Sequence, residues 1–185
     1  MPDESTRRAG QASQRGPAVA VRRRAANGAV VRRATPADLE AVVALRLALL
    51  REESRNPFFA NPHPDAGRRA RRLTKADLAA EDQVFLVAVR GEAVVGMLRC
   101  RAVRRSPLVA DARQAIVTTV YVVPSQRRGG VLRALLQNAD RWCRQHRLTG
   151  MRLQCALSND VGRKAWEALG FKPAELLYLR DIPPV

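Results

Sequence analysis

A pair of glycines set among arginines is the stretch of this sequence whose residue types and spacing are best suited to chemistry. Gly129 and Gly130 follow Arg127 and Arg128, and Arg133 comes three positions later. Glycine lets an anion approach the backbone closely, and the first amides of a helix point outward with the positive end of the helix dipole behind them. The pattern indicates a phosphate site at the start of a helix. A plain strand-to-helix turn with surface arginines is the alternative.

The residues on either side of the glycines predict the elements that would hold such a site. A β-rich run from Ala115 to Val123 stops at Pro124. After the glycines, apolar residues recur at intervals that place them on one helical face, namely Val131, Leu135, Ala139 and Trp142. The expected order is therefore a strand, a glycine turn and a helix.

This segment resembles the acyl-coenzyme A binding motif of the GCN5-related N-acetyltransferases, the GNAT superfamily. The family pattern is Arg or Gln, two residues, Gly, one residue, and then Gly or Ala. The matching positions here are Arg127, Gly130 and Leu132. Leu132 departs from the pattern, because the family has a small residue where the backbone packs against the pyrophosphate.

A second match lies downstream. The stretch from Asn159 to Phe171 is similar to the closing helix of the family, which begins with Asn, carries a Tyr within the helix and ends with Gly-Phe, here Gly170 and Phe171. The two motifs occur in the expected order with a predicted strand between them. The resemblance covers roughly residues 29–182.

The resemblance implies a fold and a co-substrate. The fold is an α/β domain with a mixed, mostly antiparallel central sheet, splayed central strands, and helices on both faces. The co-substrate is acetyl-coenzyme A, whose pantetheine arm enters the gap between the splayed strands and bonds backbone groups in the manner of an added strand. The residues expected to bind it are Val120, Val122, Arg127, Arg128, Gly129, Gly130, Val131, Leu132, Arg133 and Asn159. No metal is expected, since His63 and His146 lack paired ligand spacing.

The implied reaction is attack of a neutral primary amine on the thioester carbonyl. It needs a base for the amine proton and a donor for the developing oxyanion, and the backbone amide of Val122 is the family's usual donor. Trp166 stands where the family often has a tyrosine that protonates the leaving thiolate, and an indole N–H does not titrate in water. The sequence therefore assigns no catalytic side chain. Three accounts are left open: the thiolate leaves unassisted, Tyr178 or Tyr121 approaches from another strand, or the enzyme is catalytically degenerate.

Three functions follow from these features. The first is an N-acetyltransferase acting on a primary amine of a small molecule or a protein. The second is a catalytically degenerate acyl-coenzyme A-binding module that serves as a sensor or an interaction domain. The third is a nucleic-acid-associated protein that contacts RNA or the ribosome through a basic tail. A homodimer is also left open, because dimers are frequent in the family.

The composition of the chain limits the class of protein to which it belongs. The chain has 185 residues, 46% of them hydrophobic, which suits one domain with a sizeable core. Its formal charge of +16 attracts polyanions of any kind. With no apolar run long enough to cross a bilayer and no signal-peptide core, we expect a soluble cytoplasmic protein without a membrane partner. The three cysteines are expected to be reduced core residues: Cys100, Cys143 and Cys155.

Residues 1–28 are predicted to form a disordered basic tail, ahead of an acetyltransferase domain over residues 29–185. The tail combines arginines with small and polar residues and has almost no bulky apolar side chain to offset the entropy of ordering. An organelle-targeting presequence and a nucleic-acid-binding arm are the alternatives. Asp3 and Glu4 disfavour the first, and the lack of interleaved aromatic residues disfavours the second.

Local patterns predict the order of elements within the domain. A strand over residues 29–33 leads, through an N-cap at Thr35 with Pro36 next, into a helix that runs to about Glu53. A second helix is expected over residues 75–81, after the basic run of residues 68–72. Further strands are expected at residues 84–89, 93–103, 115–123, 151–157 and 176–182.

Two groups of residues are candidates for the acceptor side of the site. The proline-rich segment 56–64 carries Phe58 and Phe59, which either line the acceptor site or plug the loop onto the core. His63, within it, is a candidate base or simply a solvated loop histidine. Three acids of the second helix region could attract a cationic amine or form an ordinary solvated face: Asp77, Glu81 and Asp82.

Overall fold

The computed structural model describes residues 23–24, 28–106, 108 and 113–182. A six-stranded sheet forms its centre, with the strands in chain order: β1 Arg23–Arg24, β2 Val30–Arg33, β3 Gln83–Arg90, β4 Ala93–Arg104, β5 Arg113–Val122 and β6 Met151–Leu153. Neighbouring strands are antiparallel except β5 and β6, which run parallel. The predicted class, a mixed and mostly antiparallel sheet, is confirmed.

The helices of the described residues cover both faces of this sheet: α1 Leu39–Glu52, α2 Ala66–Ala79, α3 Val131–Gln145 and α4 Asp160–Ala168. On one face, Val42 and Leu45 of α1 pack with Phe85 of β3. On the other face, Leu135 of α3 packs with Leu98 of β4. Side chains of a strand alternate between the two faces, so β3, which is covered on both, is apolar at every position from Val84 to Val89. None of these helices has the length and apolar character needed to cross a bilayer.

The start of α1 follows the prediction. A short 3-10 turn, Pro36–Asp38, precedes the helix, and Asp38 Oδ2 accepts hydrogen bonds from Thr35 N at 2.7 Å and from Thr35 Oγ1 at 3.0 Å. Arg32 of β2 donates to both carboxylate oxygens of Asp38 at 2.7 Å. The Arg32 guanidinium lowers the pKa of the buried Asp38 carboxyl to about 2.

Helix α2 begins at Ala66, well before the start that we predicted at Lys75. The basic run of residues 68–72 therefore lies within the helix and not ahead of it. Arginine and alanine are both strong helix formers, which explains the longer helix. Ion pairs of Arg68 with Asp65 and of Arg71 with Glu40 offset part of the repulsion among the arginines.

Two strand predictions were wrong. β6 ends at Leu153, so the apolar alternation that reaches Leu157 does not continue as a strand. Residues 171–182, which include the closing strand predicted at 176–182, form neither helix nor strand. A local pattern reports the tendency of a segment to be extended, whereas a strand also needs a neighbour with which to pair.

Most of the predicted tail, residues 1–22 and 25–27, lies outside the described residues, and its disorder stays a prediction. Within the tail, Arg23–Arg24 pairs antiparallel with Val30–Val31 of β2. Two residues of the predicted tail therefore take part in the sheet. The pairing is made by backbone groups, which an argument from side-chain hydrophobicity does not take into account.

The cysteines are present as thiols. Cys100 and Cys143 are buried between the sheet and α3, with their Sγ atoms 3.8 Å apart. Cys155 is half-buried just beyond β6. The expectation of reduced core residues is confirmed for the first two, whereas the third lies at the margin of the core.

Candidate functional site

A gap opens between β5 and β6 part of the way along the two strands. β6 pairs with β5 only from Ala115 to Val117. Beyond that point β5 continues to pair with β4 as far as Val122, and no strand of the described residues lies along its other edge. A bulge interrupts the β4–β5 register near Thr119, whose φ of 52° is left-handed, and a bulge bends its strand. The splayed strands expected from the resemblance are confirmed.

The backbone of Val122 faces this gap. Val123 N donates to Val95 O of β4 at 3.0 Å, and successive residues of a strand direct their N–H and C=O groups to opposite edges. The N–H and C=O of Val122 therefore point away from β4, and the carbonyl accepts a hydrogen bond from Arg127 Nε at 2.9 Å. The Val122 amide thus lies where an extended ligand in the gap could bond to it.

Gly130 ends the loop after β5 and begins α3. Its φ of 80° is left-handed, a conformation that glycine adopts at little cost, and its carbonyl accepts from Ala134 N at 3.0 Å. α3 is 15 residues long, and the amides of its first residues, 131–133, have no acceptor within the helix. The predicted residues 129–133 are therefore brought together at the positive end of a long helix.

The side chains of this turn divide between solvent and core. Arg128 and Arg133 are exposed beside the helix terminus. Val131 is buried, and Leu132 is half-buried against the core. The leucine that departs from the family pattern thus directs its side chain inward, where it contributes to the packing of α3.

Gly96 of β4 lets α3 lie close to the sheet. A Cβ at this position would meet Val131 Cγ1 at 3.1 Å, Tyr121 O at 3.3 Å and Leu135 Cδ1 at 3.4 Å. The first turn of α3 therefore packs against β4 at a position that has no side chain. This residue was not predicted from the sequence, although a lone glycine inside a strand is a signal of close backbone approach.

Arg127 turns away from the helix terminus and contacts the neighbouring elements. Its Nη2 lies 2.7 Å from Glu52 Oε2, its Nε bonds to the Val122 carbonyl, and its guanidinium lies 5.4 Å from the centre of the Tyr121 ring. The hydrogen bond to Glu52 raises the pKa of Arg127. The side chain thus joins α1, β5 and the turn to one another.

Asn159 caps α4 and holds a carboxylate. Its Oδ1 accepts from Gly162 N at 2.7 Å, and its Nδ2 donates to Glu53 Oε1 at 2.8 Å. A Cβ on Gly162 would lie 2.8 Å from the Asn159 side chain, so the cap depends on that glycine. Burial and the nearby Glu53 carboxylate raise the pKa of the Cys155 thiol, which places Glu53 beside the end of β6.

The end of α1 spans the mouth of the gap. Glu52 contacts Arg127 on the β5 side, and Glu53 contacts Asn159 on the α4 side. Neither acid was predicted from the sequence. Two acidic residues at the C-terminus of a helix interact unfavourably with the helix dipole. This unfavourable placement is the sequence signal that could have indicated a role for them.

Trp166 and the two tyrosines considered as proton donors, Tyr178 and Tyr121, have different surroundings. Trp166 packs edge-on against Phe171, with ring centres 5.5 Å apart, and contacts the core. Tyr178 is 85% exposed in the C-terminal segment. Tyr121 is buried on the face of the sheet that α1 covers, and burial followed by the Glu52 charge raises its pKa.

The acids proposed to attract an amine have other roles. Asp77 forms ion pairs with Arg46 and with Arg99, the second at 2.6 Å, and these compensate the charges in a largely buried layer between α2 and the sheet. Glu81 and Asp82 are exposed beyond the end of α2. The three acids therefore form no common site.

The proline-rich segment lines a pocket on the outside of α1. Residues 62–64 face Leu47 and Leu50 of α1 across a cavity of about 470 Å³. These leucines lie on a different face of α1 from Val42 and Leu45, which pack towards the sheet. None of the residues that line the pocket belongs to β5, β6 or α4.

The aromatic and histidine side chains of this segment remain at the surface. Phe58 is 62% exposed and Phe59 41% exposed, so neither is a plug for the core. His63 Nδ1 accepts from Asp65 N at 3.0 Å, and His63 Nε2 lies 2.8 Å from Arg69 Nη2. The histidine is thus part of the turn that precedes α2.

Comparison with known proteins agrees with this arrangement. A family model described as the acetyltransferase (GNAT) family matches residues 47–171, which include the end of α1, the sheet from β3 onward, and both predicted motifs. A curated relative, aminoglycoside N(6')-acetyltransferase type 1 from Acinetobacter baumannii, is 31% identical over 61 residues. That match spans 33% of this chain and 42% of the relative, less than half of its length.

Solved structures share the fold at lower identity. A predicted acetyltransferase from Clostridium acetobutylicum, determined with acetyl-CoA, is 20% identical, with 81% of this chain and 94% of that chain covered and a TM-score of 0.68. AAC(6')-Iy in complex with a bisubstrate analog, CoA-S-monomethyl-acetylneamine, is 20% identical, with 83% and 97% covered and a TM-score of 0.64. At this identity the likeness concerns the fold.

Proposed function

We propose, because this chain belongs to the acetyltransferase (GNAT) family, that it transfers the acetyl group of acetyl-coenzyme A to a primary amine. The observation that carries the proposal is that the gap beside Val122 and the N-terminus of α3 at Gly130 follow one another at the same end of β5. The gap suits an extended pantetheine arm, and the helix terminus suits the pyrophosphate to which that arm is joined.

The coenzyme site in this proposal is made mostly of backbone. The peptide group of Val120 bonds to the pantetheine arm, and the Val122 N–H faces the thioester carbonyl at the end of that arm. The amides of residues 129–132 bond to the pyrophosphate, and Arg128 and Arg133 add positive charge from exposed side chains.

Two of the predicted coenzyme residues act by positioning. Arg127 is bonded to Glu52 and to the Val122 carbonyl, so it fixes the turn against β5. Asn159 is bonded to Gly162 and to Glu53, so it fixes the start of α4 at the mouth of the gap.

The chemical step joins the acceptor nitrogen to the acetyl carbon. As the C–N bond forms, negative charge develops on the carbonyl oxygen, and the Val122 N–H stabilises it. Collapse of this intermediate breaks the C–S bond and releases the thiolate without a protein acid, since Trp166 has no titratable proton. The proton lost by the amine goes to Glu53, the carboxylate that Asn159 holds at the mouth of the gap.

The acceptor that suits this site is a small amine with several positive charges. Glu53 places a carboxylate beside the gap and is held there by the neutral amide of Asn159, whereas the charge of the neighbouring Glu52 is balanced by Arg127. The net charge of the chain is otherwise strongly positive. Local negative charge attracts and orients cations. The partial similarity to an aminoglycoside N-acetyltransferase supports the same class of acceptor, ahead of a protein lysine or N-terminus.

Calorimetric titration with acetyl-coenzyme A tests the coenzyme site. The unmodified protein should bind, and Gly130→Glu should abolish binding, because it adds a negative charge and a side chain where φ is 80°. Gly67→Glu is the matched control: it adds the same charge on α2, where a Cβ meets nothing within 4 Å, and it should bind normally. Absence of binding by the unmodified protein would overturn the proposal.

Release of free thiol from acetyl-coenzyme A in the presence of amines tests the transfer. Polycationic amines should give faster release than monoamines or lysine peptides, and Glu53→Gln should slow release while acetyl-coenzyme A still binds. Equal rates for every class would contradict the assignment of the acceptor.

A coenzyme-binding module without turnover is the second candidate. The observation that favours it is Trp166, which packs on Phe171 at the position where a tyrosine is expected. Tight binding of acetyl-coenzyme A with no thiol release for any class of amine would support this candidate over the transferase.

A further inference from the structure

Two thiols face one another across the interface between the sheet and α3. Cys100 of β4 is fully buried, Cys143 of α3 is 4% exposed, and their Sγ atoms are 3.8 Å apart. Both belong to the core cluster that β4 and α3 share. They are 43 positions apart in the sequence, so it is the fold that brings them into contact. The proposed transfer reaction uses neither thiol.

The two sulfur atoms differ in acidity. The S–H of Cys100 can donate to the sulfur of Cys143, and this hydrogen bond lowers the pKa of the Cys143 thiol and raises that of the Cys100 thiol. The thiolate is the reactive form of a cysteine. Cys143 is therefore the sulfur that reacts first with an oxidant, and Cys100 is a second thiol in contact with the oxidised sulfur.

Cys143 also lies where the fold opens most easily. It is in the last turn of α3, which ends at Gln145, and its carbonyl accepts from His146 N at 3.1 Å and from Leu148 N at 2.9 Å. The end of a helix opens locally at a much lower cost than a whole domain unfolds. Cys100 lies in a strand that is paired along both edges. A small oxidant therefore reaches the pair from the side of Cys143.

We propose that Cys100 and Cys143 are an oxidisable pair, which hydrogen peroxide converts into a disulfide that joins α3 to β4. The Cys143 thiolate attacks one oxygen of the peroxide, the O–O bond breaks, and the hydroxide that leaves takes up a proton to give water. Cys100 then attacks the sulfur of the Cys143 sulfenic acid, the S–S bond forms, and the sulfenic oxygen leaves as a second water. Two thiols and one peroxide thus give one disulfide and two waters, and a dithiol reductant restores the thiols.

The disulfide acts on the helix that begins at the proposed pyrophosphate site. The first turn of α3 packs against Gly96 of β4, and the last turn meets the same strand at Cys100. A disulfide has a sulfur separation of about 2.05 Å, so the bond draws the end of α3 towards the strand. Oxidation therefore holds the helix against β4 at both ends. Any effect on coenzyme binding rests on the proposed function, whereas formation of the disulfide does not.

Counting free thiols tests the pair, in a protein that carries Cys155→Ala to remove the third cysteine. Maleimide labelling of the denatured protein should find both thiols before treatment of the folded protein with hydrogen peroxide, and neither thiol after it. Peptide mapping without reductant should show Cys100 joined to Cys143 within one chain, and dithiothreitol should restore both thiols.

Two further substitutions in the same background separate the two steps. Cys100→Ala should stop the oxidation at a sulfenic acid on Cys143, which dimedone traps. Cys143→Ala is the matched control, and it should leave the Cys100 thiol free after the same treatment. Dimedone labelling of Cys100 in the second variant would contradict the assignment of Cys143 as the sulfur that reacts first.

Thermal unfolding supplies a measurement that leaves the buried pair intact. The disulfide closes a long loop of the unfolded chain, so the oxidised protein should have a Tm about 5 °C or more above that of the reduced protein. Amide hydrogen exchange in α3 should also be slower after oxidation. Two thiols that stay free after peroxide treatment, a disulfide that joins two chains, or a lower Tm in the oxidised protein would overturn the proposal. None of these measurements depends on coenzyme binding or acetyl transfer.

Discussion

Glu52 and Arg127 lie 75 positions apart in the sequence and form an ion pair across the mouth of the gap, with Oε2 and Nη2 2.7 Å apart. The pair connects the end of α1 to the loop that precedes α3. Both side chains are partly exposed, so the pair itself contributes about 1 kcal/mol or less to the free energy of unfolding. Its consequence is therefore positional: in the function that we propose, it fixes the acceptor side of the site against the coenzyme side.

Arg127→Ala should raise KM for acetyl-coenzyme A about tenfold and also lower kcat, because the turn loses both its bond to the Val122 carbonyl and its tie to α1. Steady-state kinetics with the preferred amine measures both parameters. The matched control is Arg128→Ala, which removes an exposed charge of the same loop. This substitution should raise KM for acetyl-coenzyme A and leave kcat unchanged. The rise in KM should be smaller at high salt, where exposed charges are screened. Identical effects of the two substitutions would contradict the positioning role of Arg127.

Gly96→Ala should lower the free energy of unfolding by about 1–3 kcal/mol and weaken acetyl-coenzyme A binding, since the new methyl group would press on Val131 and on the Tyr121 carbonyl. Urea denaturation and calorimetric titration measure the two effects. Gly67→Ala serves as the control, because it adds the same methyl group inside α2 with nothing within 4 Å. It should raise the free energy of unfolding by about 0.5–1 kcal/mol and leave binding unchanged. Unaltered binding in Gly96→Ala would show that α3 tolerates displacement from the sheet.

The sequence predicted those parts of the site that are local in the chain. Gly129 and Gly130, the strand before them and the helix after them lie within a few residues of one another, so turn chemistry and periodicity suffice to identify them. Glu53 and Asn159 are 106 positions apart, and no local pattern indicates that a helix C-terminus meets a helix N-terminus. The phosphate role of Arg127 was predicted from its charge, whereas its contacts depend on where α1 ends in three dimensions.

The same distinction explains the strands. β3 and β4 were predicted because a two-residue turn brings them together and Gly91, with a φ of 58°, suits that turn. Residues 176–182 have the apolar content of a strand, but no strand of the described residues pairs with them. Gly96 is a third case. The sequence shows a glycine within a strand, but it does not show that α3 packs against that position.

The free energy of unfolding should fall at acid pH as the Asp38 carboxylate becomes protonated. Its pKa in the folded chain is about 2, below the ordinary value of 3.8, so its ionised form stabilises the fold above about pH 4 and that contribution is lost as the pH falls towards 2. The expected loss is about 1–2 kcal/mol. Urea denaturation at intervals between pH 5 and pH 2.5 measures it. Asp38→Asn should be less stable at pH 5 and should lack this part of the pH dependence; an unchanged slope would contradict the assignment to Asp38.

Substitutions at Asn159 should separate its two roles, the cap of α4 and the hold on Glu53. Asn159→Ala loses both hydrogen bonds, so the free energy of unfolding should fall by about 1 kcal/mol and kcat should fall as well. Asn159→Asp keeps an oxygen that accepts from Gly162 N and suits the positive end of α4, but it sets a second carboxylate against Glu53. Stability should therefore stay close to that of the unmodified protein while kcat still falls.

Gly162→Ala is the complementary change, since its methyl group would lie 2.8 Å from the Asn159 side chain and displace it. It should lower both the free energy of unfolding and kcat, as Asn159→Ala does, although the Asn159 side chain itself is retained. Denaturation and steady-state kinetics on the three variants compare these outcomes. If Asn159→Asp kept full kcat, the contact between Asn159 and Glu53 would have no part in the reaction, and the base would have to be sought elsewhere around the gap.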